Sequence, residues 1–255
     1  MNPSLVTISG LRKRYGRGAV VLEDITLDVA KGEFVSLIGP SGCGKSTLLK
    51  LIASLSPVTS GTLLVDGMSP AKARKETSFV FQEATLLPWR TVDDNIELPL
   101  QVLGMDRAQR RQICAQVRNL VGLDHVPGLY PRQLSGGMKM RVSIARALSV
   151  APKILLLDEP FGALDEMTRD RLNEELLGIR EKRGFTAFFV THSVVEACFL
   201  STRIVILAPN PGRIHREIAV PFPYPRTVET RESPEFQRFT TEVSRALRAV
   251  NPEGR

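Results

Sequence analysis

An α/β fold, in which a mainly parallel sheet is covered on both faces by helices, is what this sequence predicts, and three observations predict it. Short, continuous apolar runs such as Phe34-Val35-Ser36-Leu37-Ile38 and Ile154-Leu155-Leu156-Leu157 lack the alternation of a half-exposed sheet, so both of their faces are expected to be buried. Segments with helical apolar spacing alternate with these strands. A glycine-rich loop, Gly39-Pro40-Ser41-Gly42-Cys43-Gly44-Lys45-Ser46-Thr47, joins the first strand to a helix pattern that runs on to Ala53. Strand, glycine loop and helix in that order form a polyphosphate-binding device. Backbone N–H groups and the positive end of the helix converge on the anion, and glycines let the chain approach without a Cβ in the way. Lys45 adds a full positive charge near β- and γ-phosphates, and the Ser46 hydroxyl suits a Mg²⁺ ligand.

The elements follow in order. Leu5 to Ser9, Val20 to Leu22 and Ile25 to Val29 read as short strands, with the polar stretch Arg12 to Gly18 between the first two. Beyond the loop, Thr62 to Val65 and Ser78 to Phe81 are strands, the former ending in the turn Asp66-Gly67. From Thr91 to about Val150 the pattern becomes helical, and Ile113, Val117, Leu120 and Val121 share one face of a helix opened by Asp106. This block reads as an inserted helical subdomain, 84–150. The strand pattern resumes at Ile154, with a helix from about Asp165 to Arg183 and strands at Ala187 to Val190 and Arg203 to Leu207. A C-terminal extension, 209–255, carries a Pro-rich connector and a helix capped by Ser233 with Pro234 in its first turn. Phe236, Phe239, Val243, Leu247 and Val250 line one face of that helix, expected to pack on the same chain, with partner or membrane docking as the alternative.

A chain of 255 residues with 43% hydrophobic content can bury a full core and fits one domain, 1–255, with such an insertion. The net charge of +7 is compatible with an anionic ligand, an anionic lipid surface or nucleic acid, and does not choose among them. Cys43, Cys114 and Cys198 are odd in number and widely spaced, so neither a disulfide framework nor a zinc site is indicated. No secretion signal is visible at the N-terminus, and nowhere do about 18 apolar residues run together as a membrane span requires. If the protein serves a membrane, another chain must supply the span.

Asp158 and Glu159 stand at the C-terminal end of the strand Ile154 to Leu157, where open α/β sheets gather ligand chemistry. Asp158 is placed to hold Mg²⁺, and Glu159 to orient and polarise a water attacking a γ-phosphate. Ser135-Gly136-Gly137 opens a helix, either as a simple helix cap or as a second anion-binding device made from a hydroxyl, free N–H groups and a helix dipole. Both devices could serve one nucleotide, or the second could face a neighbouring subunit. Val190-Thr191-His192 ends a further strand.

Taken together, the loop Gly39 to Thr47, Gln82 after a strand, Leu134-Ser135-Gly136-Gly137, Leu157-Asp158-Glu159-Pro160 with Asp165, and Thr191-His192 resemble the ATP-binding subunit of ABC transporters, a P-loop NTPase with an N-terminal antiparallel β-subdomain. The resemblance covers residues 4 to 208. It implies ATP and Mg²⁺ as cofactors and a second ATPase subunit, a homodimer, in which the loop of one copy and Ser135 to Gly137 of the other enclose each nucleotide. It assigns Gln82 to sensing Mg²⁺ and the transmembrane partner, Asp165 to the dimer contact, His192 to the γ-phosphate and Tyr15 to stacking on adenine. Cys43 reads as a small packing residue within the loop. The sequence departs from the family at Met138 and Met140, where glutamine is usual, and at Ser193, where aspartate is frequent. Methionine lacks the amide's donors and acceptor, so a weakened nucleotide sandwich is expected.

Leu86-Leu87-Pro88-Trp89-Arg90-Thr91-Val92-Asp93-Asp94-Asn95-Ile96 and Phe161-Gly162-Ala163-Leu164-Asp165-Glu166-Met167-Thr168-Arg169 resemble the nitrate, sulfonate, taurine and bicarbonate importer branch. The resemblance implies a peripheral subunit on the cytoplasmic face of the cell (inner) membrane, coupled to permease subunits and through them to a solute-binding protein. Phe81, Leu86, Leu87 and Trp89 are candidates for the groove that meets the permease, a packed role being the alternative. A pyrimidine or thiamine-precursor importer is an alternative. A soluble ABC ATPase acting on nucleic acid or ribosomes is a third reading, but no nucleic acid is expected, because the chain has a single nucleotide module and no basic run interleaved with aromatics. A regulator without turnover is disfavoured by Glu159 and His192.

Overall fold

Two sheets organise residues 4–250, the part of the chain that this computed structural model describes. Residues 1–3 and 251–255, the latter closing the expected C-terminal extension, lie outside it. The smaller sheet is antiparallel, ordered β2-β1-β4, from β1 (Ser4–Arg14), β2 (Val20–Ala30) and β4 (Ser60–Val65). The larger has the order β5-β6-β7-β3-β8-β9, with β3 (Phe34–Ile38), β5 (Thr77–Val80), β6 (Ile154–Asp158), β7 (Thr186–Val190), β8 (Arg203–Ala208) and β9 (Arg213–Ala219). Five of its strands run parallel, and β9 closes one edge antiparallel to β8.

Alternate residues of the central strands enter two separate cores, which is why the apolar runs are unbroken. Phe34, Leu155, Leu157, Phe189, Ile204 and Ile206 face one core. Val35, Leu37, Ile154, Leu156, Phe188 and Val205 face the other. The first is covered by α2 (Val92–Val102), α3 (Arg107–Leu120), α4 (Gly136–Leu148), α5 (Glu166–Arg183), α6 (Val194–Leu200) and α8 (Pro234–Ala249). The second is covered by α1 (Lys45–Ile52) together with the antiparallel sheet. Helices α2, α3 and α4 occupy the chain between β5 and β6 and pack on one another. No helix among the described residues is long and apolar enough to cross a membrane.

Three local features differ from the sequence reading. The polar stretch expected from Arg12 belongs to β1 as far as Arg14: Leu11 and Lys13 point inward, and Lys13 Nζ is held by the Pro57 carbonyl at 2.6 Å. The two strands expected at Val20 to Leu22 and Ile25 to Val29 are one, since Asp24 takes a positive φ of 52° and lets the chain kink without leaving the sheet. Helix α6 and strand β9 had no sequence counterpart.

The apolar stripe of α8 packs on its own chain. Phe236, Val243 and Val250 are buried, Phe239 and Leu247 lie against the same core, and Phe236 meets Phe199 of α6 edge-on at 6.5 Å. Before it, α7 (Val228–Glu232) follows a connector fixed by Arg226. This buried guanidinium donates from Nη1 to the carbonyls of Cys198, Phe199 and Ser201 at 2.8–3.0 Å, and from Nε and Nη2 to Phe222 O at 3.1 and 2.6 Å. It thereby satisfies the carbonyls left open at the C-terminal end of α6. Tyr224 adds its ring 4.2 Å from the same guanidinium and donates to Leu200 O at 2.6 Å.

Candidate nucleotide site

The glycine loop spans β3 to α1, and its backbone is shaped for close approach. Gly44, the N-cap of α1, has φ 96°, a left-handed conformation, and a Cβ there would lie 2.4 Å from Leu22 Cδ2. Val21, Ser41, Gly42, Gly44, Lys45, Ser46, Thr47, Glu159 and His192 line a cavity of about 250 Å³ at the start of α1. Gly39 and Cys43 are buried beneath it. Lys45 Nζ donates to the carbonyls of Gly39 at 2.8 Å and Pro40 at 3.0 Å, so the ammonium folds back over the loop.

Two strand ends bring the acidic and imidazole groups to this cavity. Asp158 closes β6 and accepts from Ser46 Oγ at 2.8 Å, and burial pushes its carboxyl up from the ordinary value. Glu159 follows in a left-handed backbone conformation, φ 48°, with its N–H donated to Val190 O of β7 at 3.0 Å. His192, just beyond β7, brings Nε2 to 2.8 Å from Glu159 Oε1. A hydroxyl–carboxylate pair and an imidazole–carboxylate pair thus stand beside one cavity of about 250 Å³.

Beyond the His192–Glu159 pair lies a second cavity, about 370 Å³, lined by Gln82, Gly162, Arg169, Thr191, Ser193 and Glu196 as well as the pair itself. Gln82 is exposed there. Tyr15 sits in the turn between β1 and β2, its ring largely exposed and capped by Lys13 Nζ at 4.5 Å from the centroid. The sequence expectations for Gly39 to Thr47, Asp158, Glu159 and His192 therefore meet in space, with Gln82 behind them.

Ser135, Gly136 and Gly137 do not line either cavity. Ser135 is the N-cap of α4, its hydroxyl accepting from Met138 N–H at 3.2 Å, and Ser135 and Gly136 are exposed. Gly137 is buried against α5, where a Cβ would lie 2.9 Å from Thr168 Cγ2. Asp165 caps α5 by accepting from Thr168 N–H at 2.9 Å, a bond that lowers its pKa. Both exposed helix starts face solvent within one chain, as surfaces for a partner would.

The loop before α2 is rigidly held. Asn95, fully buried, bonds both the N–H and carbonyl of Leu87 and the carbonyls of Arg90 and Thr91. Arg146 of α4 donates to the carbonyls of Ala84 and Thr85. Leu86 packs on the core, whereas Trp89, 70% exposed, and Phe81 project outward.

Sequence reasoning assigned no role to Arg169, Glu196 or Arg226. A signal existed for one: Ser193-Val194-Val195-Glu196 has the spacing of a helix N-cap, and Ser193 does cap α6.

Comparison with known proteins matches the description ABC transporter to residues 22–162. The chain is 46% identical to the aliphatic sulfonates import ATP-binding protein of Bacillus cereus over 93% of its own length and 94% of that protein. It is 42% identical to the nitrate import ATP-binding protein of a Synechocystis species, over 93% and 92%. Among solved structures, a dimeric ATP-binding cassette in a post-hydrolysis state, bound to ADP and Pi, superposes with a TM-score of 0.76 at 34% identity, covering 85% of this chain and 99% of that one.

Proposed function

The chain belongs to the ABC transporter family, and on that premise we propose how this ATP-hydrolysing subunit of an importer divides the work among its residues. It binds ATP, acts as a dimeric cassette and is coupled to membrane permease subunits. The observation that carries the assignment of residues is the His192–Glu159 contact of 2.8 Å on the wall of the cavity lined by the glycine loop.

On nucleotide binding, Lys45 exchanges the Gly39 and Pro40 carbonyls for phosphate oxygens, and the N–H groups from Ser41 to Thr47 take the rest of the negative charge. Tyr15 offers its open face to the adenine. Glu159 accepts the hydrogen bond of the attacking water and aligns it, while His192 turns from its contact with Glu159 to the γ-phosphate. Mg²⁺ fits the site, because the Ser46 hydroxyl and Asp158 carboxylate, in contact at 2.8 Å, are the hard oxygen donors it takes. Ser46, Asp158 and Gln82 would hold it, and when bound it neutralises charge between β- and γ-phosphates.

Ser135 to Gly137, which line neither cavity of their own chain, complete the nucleotide site of the second copy, with Asp165 at the same seam. ATP closes the pair, and loss of the γ-phosphates lets it open. The unit 84–150 forms the permease-facing insertion, with Trp89 and Phe81 exposed on a loop pinned by Asn95 and Arg146, and 209–255 is an extension folded back on the core. The working place is the cytoplasmic face of the inner membrane, with a solute-binding protein reached through the permease. The solute is a small anion such as a sulfonate, taurine, nitrate or bicarbonate. The sulfonate and nitrate relatives stand at similar identity, so this subunit carries the shared class and the permease the choice.

Replacing Glu159 with Gln tests the assignment. Turnover is expected to stop while ATP still drives dimerisation; a variant that hydrolyses ATP at the parent rate would refute it.

A further inference from the structure

A buried carboxylate stands directly behind the catalytic edge. Glu196, in the first turn of α6, is only 5% exposed. Its Oε2 accepts a short hydrogen bond from the Thr191 hydroxyl, and Oε1 meets Asn173 Nδ2 at 3.5 Å and Arg169 Nε at 4.0 Å, both from α5. Thr191 and Ser193 flank His192. Thr191 Oγ1 accepts from Ser193 N–H at 2.9 Å, and Ser193 Oγ accepts from Glu196 N–H at 3.3 Å. Both neighbours of His192 are therefore tied to one residue, Thr191 to the Glu196 carboxylate and Ser193 to the Glu196 backbone N–H.

The arrangement is not the usual end of a helix. In a reciprocal capping box the glutamate would accept from the Ser193 N–H, yet here that N–H goes to Thr191 and the carboxylate spends its oxygens on the His192 strand end and on α5. Burial pushes the Glu196 carboxyl up, so an apolar residue would be the less demanding occupant if packing were its only purpose. The same N-terminal half of α5 starts from its cap Asp165 and touches Gly137 through Thr168, one position before Arg169. One rigid helix thus runs from the exposed helix starts to the carboxylate that holds the His192 strand end.

We infer that Glu196 is a positioning residue: through the Thr191 hydroxyl it fixes His192 relative to Glu159, and through Asn173 and Arg169 it makes that position depend on where α5 sits. The inference rests on the roles given to His192 and Glu159 above. A displacement of about 1 Å in a reacting group can slow a reaction by up to about a hundredfold, while the glycine loop, which binds ATP, is untouched.

Steady-state ATP hydrolysis by the full-length chain is measured for Thr191→Val, which removes the hydroxyl at constant shape, for Glu196→Ala and for Glu196→Gln, with thermal unfolding of each. Thr191→Val and Glu196→Ala are expected to lower kcat at least about tenfold with KM for ATP within about twofold. Glu196→Gln, which keeps an acceptor for Thr191, is expected to recover most of the loss. If Thr191→Val folds and its kcat stays within about twofold of the parent, or if KM changes as much as kcat, the inference is overturned, whether or not Glu196→Ala folds. Glu159→Gln is run alongside. Turnover retained there refutes the site assignment itself, whereas loss there with a normal Thr191→Val refutes only the role of Glu196.

Discussion

Arg226 offers a direct measure of what ties the extension to the core. Replacing it with Met keeps the hydrocarbon stem but removes all five donated bonds, leaving the carbonyls of Cys198, Phe199, Ser201 and Phe222 without their partner. A buried acceptor left unpaired costs about 1–3 kcal/mol. Phe222 is only half-buried and its carbonyl can reach water, so three full penalties remain, about 3–9 kcal/mol. Against this, the native guanidinium is itself penalised by burial, which holds its pKa below the ordinary value, and the variant escapes that several-kcal/mol term. The net loss expected is about 3–5 kcal/mol, the middle of the penalty range less the desolvation relieved. For a chain of this size that lowers Tm by about 6–20 °C. Urea and thermal unfolding followed by circular dichroism read it, and Arg226→Lys should fall between, because an ammonium cannot span carbonyls on both segments. A Met variant within about 1 kcal/mol of the parent would refute the claim that this guanidinium closes the end of α6.

Further outcomes follow from the same geometry. Gly212→Ala would place a Cβ 2.1 Å from Cys43 O and 2.9 Å from Val21 O, so the glycine loop must shift; ATP affinity by titration calorimetry should fall about tenfold or more, equivalent to about 1.4 kcal/mol, and an unchanged Kd would count against the packing described. Tyr15→Ala should raise KM for ATP at least about fivefold with kcat unchanged, since stacking on a base is worth about 1–3 kcal/mol; an unaltered KM would remove Tyr15 from the site. Cys43, Cys114 and Cys198 are all buried, and burial pushes all three thiols up, that of Cys198 to about 12. A raised thiol pKa keeps the group protonated and unreactive below it, so at about pH 8 no thiol should react with an aromatic disulfide reagent until the chain is denatured. Rapid labelling of the native protein would contradict this.

What the sequence made legible is what neighbouring residues determine. The apolar runs of β3, β6 and β7 and the glycine loop are read from consecutive positions, because a strand buried on both faces needs no alternation and a phosphate loop needs only its own glycines. Strand β9 escaped because Arg213, His215, Arg216 and Glu217 leave it only Ile214, Ile218 and Ala219 as apolar residues, the composition of an exposed edge. Helix α6 is seven residues long, nearly all apolar, and shows no period by which to tell it from a strand. Glu196 and Arg226 look like surface charges in the sequence. Only the packing of α5, α6 and the extension shows that each is enclosed and what it holds.

Glu159 has one more implication, for anyone who engineers this scaffold. Its left-handed backbone, φ 48°, is a conformation that a residue with a side chain holds at a penalty of about 1–3 kcal/mol. Glycine would relax that penalty, so a procedure that ranks substitutions by thermostability alone should favour it here and would deliver a sturdier, inert protein. Tolerance and usefulness part company at this position, and a library screened for heat resistance without a turnover assay would drift toward silence.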